Sequence, residues 1–167
     1  MAPLVRRTWM PKGNTPILKH QTRSHKKVSA IAAVCISPTR EQVHLYFRLH
    51  ADENINTSCA IAFLRQLLKQ LQTPIVLIWD RLLVHRAAKM RKFIEKTKNL
   101  WMFFFPPYAP ELNPVEPVWG YLKHNPLANF VPSDLQQLTQ TARSHTRSLQ
   151  YEQQLLRAFV KQADLYN

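Results

Sequence analysis

Two short, uninterrupted apolar runs set the strongest limit on what this chain can fold into. Ile75–Trp79 (IVLIW) and residues 100–105 (LWMFFF) are continuous, rich in β-branched and aromatic side chains, and brief. Runs of that kind fit strands buried on both faces of a sheet. Each is followed by helix-like sequence. After Asp80, Leu83, Ala87, Met90 and Ile94 recur at the helical period on an inner face, with Arg86, Lys89, Lys92 and Lys96 outside. After residue 105 comes a rigid loop with Pro106, Pro107 and Pro110, then a helix starting near Pro114 or Pro117 that carries Trp119 and Leu122.

Upstream, Val28–Ile36 (VSAIAAVCI) and residues 42–50 (QVHLYFRLH) read as strands joined by a hairpin-length loop. Asn56 or Thr57 caps a helix to about Gln72, with Ala60, Leu64, Leu67, Leu68 and Leu71 inward. Two more helices are expected, residues 133–145 with Ser133 and Gln136 as a capping box, and residues 150–164. Two antiparallel strands leading into βα units make an α/β chain, a mixed sheet with helices on both faces.

The 167 residues match one ordinary domain. A hydrophobic share of 46% allows a real core and excludes a disordered tail. No apolar run approaches a bilayer span, and no signal peptide is visible. The two cysteines, Cys35 and Cys59, form no CxxC, which suits a reducing cytosol and leaves no disulfide scaffold. Two glycines cannot build a Gly-rich phosphate loop.

Charge is the remaining constraint. Lys and Arg total 23 against 10 acids, a net +13. Residues 1–50 hold nine cations and one acid, Glu41. Such an excess on a folded domain points to nucleic acid, with a solvated basic surface as the plainer reading.

Few acids are available for chemistry. Asp80 stands at the carboxyl end of a buried strand, where α/β sheets place ligands, although an Asp there also opens turns or caps helices. Glu116 fits two frames, the third helical position of a box capped by Asn113, or the residue flanking a helix that starts at Pro117. In both it stands at a helix N-terminus, where the dipole favours negative charge. Two carboxylates from different elements can hold Mg²⁺ and leave room for water and phosphate.

Residues 78–87 (IWDRLLVHRA) and 105–119 (FPPYAPELNPVEPVW) resemble the two signature blocks of mariner-like bacterial insertion-sequence transposases, members of the DDE superfamily of endonucleases. Thirty-five residues separate Asp80 from Glu116, as that family's pattern requires. Residues 6–13 (RRTWMPKG) are similar to its Arg-Arg-Thr-Trp segment. The resemblance implies an RNase H-like fold that cuts DNA at element ends and joins it to a target, using Mg²⁺ or Mn²⁺. It makes Asp80 the second catalytic and metal-binding carboxylate and Glu116 the third. It implies DNA as partner, a homodimer on that DNA, and a cytoplasmic, nucleoid-associated location without membrane contact. Residues 1–130 would form the incomplete catalytic domain and 131–167 a helical extension of it.

His85, one helical turn past Asp80, either positions water or phosphate or satisfies a backbone carbonyl; Asn113 is a second supporting candidate. Arg6, Arg7, Lys12, Arg86 and Lys123 are candidates for phosphate contacts. Tyr108 and Trp119 are candidates for base stacking, with core packing the alternative for Trp119. Glu111 reads as a loop residue.

One element of the pattern is missing. The family's first Asp lies on a strand shortly before the Arg-Arg-Thr-Trp segment, and here only residues 1–5 precede Arg6. Asp52 and Glu53 follow the second strand, the wrong place for that role. The expectation is the C-terminal part of a transposase, lacking the first strand, its Asp and the helix-turn-helix region, and inactive alone. The alternative is a non-catalytic DNA-binding or subunit-pairing remnant.

Overall fold

The computed structural model describes residues 27–164, together with Arg7 and Lys12. The strands β1 (Val28–Ile36) and β2 (Val43–Ala51) form an antiparallel hairpin, in register from Val28 opposite Ala51 to Ile36 opposite Val43. Ser37 closes the turn: its Oγ accepts from the Gln42 amide at 3.1 Å. Helix α1 (Thr57–Leu71) follows, capped by Asn56, whose side chain accepts from the Cys59 amide at 3.0 Å.

Strand β3 (Ile75–Trp79) and strand β4 (Leu100–Phe104) pair in parallel, Ile75 opposite Leu100. The connection is two helices, not one: α2 (Leu83–Arg86) and α3 (Ala88–Lys96), separated by Ala87 in an extended conformation. The break overturns the expectation that Leu83 faces inward; it is 83% exposed. Only α3 follows the amphipathic frame, with Met90 fully buried. A short 3₁₀ turn (Pro110–Leu112) precedes α4 (Val115–His124), α5 (Leu135–Gln150) and α6 (Gln153–Gln162). The cap of α5 lies one residue later than expected: Asp134, not Ser133, accepts from the Gln137 amide at 2.7 Å. Both residues are good caps, and the packing of Leu138 and Ala142 selects the frame.

The expected single sheet is instead two two-stranded sheets among the described residues. Two cores hold them. In the first, α4, α5 and α6 bring Val118, Leu122, Leu149, Leu156 and Phe159 onto Val43 and Leu45 of β2. In the second, Leu64 and Leu67 of α1 and Met90 of α3 meet Trp79, with Leu77, Met102 and Phe104 against them. The hairpin is shared: Ala32, Val34 and Ile36 face the first core, and Ile31, Ala33 and Cys35 the second. Burial on both sides explains why β1 carries no charge.

The free edge of β2 is closed by side chains. Gln150 donates to the Leu45 carbonyl at 2.6 Å and Gln153 to the Val43 carbonyl at 2.9 Å. Such covering blunts a strand edge against other chains.

The second sheet departs from expectation. β3 and β4 are covered on one face only, and Val76, Ile78, Trp101 and Phe103 are 46–62% exposed. A continuous apolar run shows that both faces are apolar, not that both are covered. Helices α4, α5 and α6 pack on the hairpin, not on this face. No helix among the described residues is long and apolar enough to cross a membrane.

Candidate active site

Asp80 follows the last residue of β3. Its Oδ1 accepts from the Leu82 amide at 3.1 Å and from His85 Nδ1 at 2.8 Å. The turn-forming and site-forming readings of Asp80 are therefore compatible: one oxygen organises the turn, and the other makes no hydrogen bond among the described residues. Nδ1 of His85 also lies 3.3 Å from the Asp80 carbonyl. Both neighbours are acceptors, which assigns the Nδ1–H tautomer to this ring. The imidazole stacks on the Trp79 indole, centroids 3.9 Å apart and planes 5° from parallel. Trp79 itself is in the second core, so the core floor fixes the ring that fixes the carboxylate.

Arg81 ties the two strand ends together. Its Nε donates to the Phe105 carbonyl at 3.3 Å, and its guanidinium sits 5.6 Å from the Phe104 ring centroid. The Phe105 amide in turn donates to the Trp79 carbonyl at 2.9 Å, extending the β3–β4 ladder to the edge of the proline loop. Sequence reasoning passed over Arg81; its place beside Asp80 in the first signature block was the available signal.

Glu116 arrives from the other core. The loop turns at Tyr108, whose φ is 59° and whose side chain is fully exposed. Asn113 then starts α4 in an unexpected frame. Its Oδ1 accepts from the Val115 amide at 3.2 Å, while its carbonyl accepts from the Glu116 amide at 3.0 Å. Pro117 falls in the first turn, where a missing N–H costs nothing. Neither half of the expected capping box is made, since Pro114 occupies the cap position and the Asn113 side chain bonds Val115 rather than Glu116, and the exposed Glu116 side chain has no hydrogen bond among the described residues.

Asp80 and Glu116 line one cleft of about 370 Å³, with Arg81, Phe105, Tyr108 and Asn113 around them. Oxygen-only donors of this kind suit a hard divalent cation. Among the described residues no group of three or more His, Cys, Asp or Glu side chains converges. Asp52 and Glu53 are not at this cleft; Glu53 pairs with His50 at 3.1 Å.

The other candidates scatter. Arg86 is exposed and Lys123 half-buried, Trp119 packs against the first core, and Glu111 sits in the 3₁₀ turn outside the cleft lining. Arg7 and Lys12 are exposed, and Arg6 lies outside the described residues.

The sequence profile of the DDE superfamily endonucleases matches residues 2–139. This chain belongs to the DDE superfamily endonuclease family. Membership bears out the resemblance carried by the two blocks around Asp80 and Glu116. An uncharacterised protein of Sinorhizobium fredii, y4pE/y4sA, is 39% identical over 59 residues, which are 35% of this chain and 41% of that protein. Among solved structures, the Mos1 strand transfer complex is similar with a TM-score of 0.64 at 15% identity, over 98% of this chain and 47% of that one. The Mos1 mariner paired end complex with Mn gives 0.64 at 16%, over 98% and 48%. The DDE domain thus has the RNase H-like α/β fold of that mariner transposase, and it spans about half the length of the Mos1 chains.

Proposed function

We propose that this DDE endonuclease domain is the catalytic part of an insertion-sequence transposase, cutting DNA at element ends and joining the ends to a target. The observation that carries the reading is the meeting of Asp80 and Glu116 at one cleft, from a strand end and a helix N-terminus with 35 residues between them. Both would hold Mg²⁺ or Mn²⁺. A bound divalent ion supplies charge stabilisation for phosphodiester chemistry. His85 and the Leu82 amide hold the orientation of Asp80, Asn113 sets the helix start that presents Glu116, and the proline loop forms a stiff wall. Arg7, Lys12, Arg86 and Lys123 would contact phosphates, on a homodimer assembled on DNA.

A second reading, a DNA-binding or subunit-pairing domain without catalysis, draws on the two carboxylates, rather than three, that the described residues bring to the cleft. Calorimetric titration with Mn²⁺ separates the two. The wild type should bind, and Asp80→Ala and Glu116→Ala should each lose most of the heat. Equal heats in all three would refute the metal-dependent reading and favour the second.

A further inference from the structure

Away from the cleft, and sharing no lining residue with it, α1 and α3 flank a groove of about 440 Å³. Its charge is one-sided. Lys89, Lys92 and Lys96 lie along one side of α3 at spacings of three and four, and Arg65 projects from α1. These spacings place the three ammonium groups on one helical stripe, about 10 Å from first to last. The single acid on either helix, Glu95, is not among the lining residues. None of the four cations forms a salt bridge among the described residues.

The side chains are held across the groove all the same. Lys89 Nζ donates to Ser58 Oγ at 2.9 Å, bridging the two helices. The Arg65 guanidinium sits 5.6 Å from the centroid of the Phe93 ring. Like charges at these spacings repel, so the free groove carries an uncompensated cost that a polyanion removes. Phe93 is half-buried and capped by Arg65, so the groove offers no open ring for base stacking. What remains is a row of cations suited to phosphates and indifferent to bases.

We propose that the α1–α3 groove is a second, sequence-independent contact for the backbone of duplex DNA, separate from the DNA held at the Asp80–Glu116 cleft. The proposal rests on the reading of the chain as a DNA-processing domain. Each neutralised phosphate releases counterions, so the groove should appear in the salt dependence of binding.

The test is fluorescence anisotropy of the full chain with a random-sequence duplex across a salt series, alongside Lys89→Gln, Lys92→Gln and Lys96→Gln combined. Gln matches Lys in helix propensity, which keeps α3 intact. The slope of log K against log salt should become shallower by about 2.7, three contacts at about 0.9 each. Heats of Mn²⁺ binding should stay at the wild-type value. An unchanged slope with wild-type DNA and Mn²⁺ binding would overturn the groove and leave the endonuclease reading standing. A wild type that binds no duplex at low salt would overturn both. Loss of poly-glutamate binding in the variant, with DNA binding intact, would overturn the proposal in favour of an acidic protein partner.

Discussion

The arrangement of Trp79, His85 and Asp80 can be taken apart by two substitutions at one position. His85→Ala removes both a hydrogen bond to a carboxylate, 2.8 Å long, and a parallel stack with centroids 3.9 Å apart. A hydrogen bond to a charged group contributes about 1.5–3 kcal/mol. The Asp80 side chain is 43% exposed, so the lower end of that range applies. A ring stack adds about 0.5–1.5 kcal/mol. His85→Ala should therefore destabilise the domain by about 2–3 kcal/mol in urea unfolding followed by circular dichroism. His85→Phe keeps the stack and loses only the bond, so its cost should fall to about 1.5 kcal/mol. Mn²⁺ affinity should behave differently. It depends on the orientation of Asp80, so both variants should lose about tenfold, the lower end for loss of a ligand's hydrogen-bonded support. If His85→Phe binds Mn²⁺ as the wild type does, the hydrogen bond does not position Asp80.

Two further outcomes follow from burial. Packing against the second core raises the Cys35 thiol from 9.0 to about 11, because desolvation disfavours the thiolate. The folded state thus keeps its proton longer than the unfolded chain. Stability from this group is whole below pH 9 and lost as pH rises through about 11; urea midpoints across that window should fall in the wild type and less steeply in Cys35→Ala. At the open face of β3–β4, Trp101→Thr and Phe103→Thr keep strand propensity and should each change stability by about 0.5 kcal/mol or less, with reduced binding of the dye ANS. A cost above about 2 kcal/mol would show that this face is covered in solution.

Much of the fold was legible because the hairpin and α1 announce themselves locally. β1 has an apolar run stopped by Ser37–Pro38, and α1 has both a cap at Asn56 and a clear inner face. What was not legible depends on partners distant in sequence. Nothing near Ala87 marks a helix break, since no Gly or Pro stands there; the break shows only once His85 is seen turning to Asp80. Ser133 and Asp134 are equally good caps by type, and packing chose between them. The apolar runs at β3 and β4 contained no information about which face another helix would reach. At the site, the spacing of Asp80 and Glu116 could be read directly. The Trp79–His85 stack, the Arg81 tie and the cationic groove could not, because each joins side chains through the third dimension.

The division of the interior into two cores has a mechanical consequence. Asp80 is anchored through Trp79 to the core of α1, α3, β3 and β4, whereas Glu116 rides on α4 in the core of β2, α5 and α6. The separation of the two carboxylates is thus a read-out of how the halves are docked. The hairpin between them is a shared wall, with one core packed on each face. A divalent ion that took oxygens from both carboxylates would be a clasp across that wall. It would link the two cores directly, through one carboxylate from each.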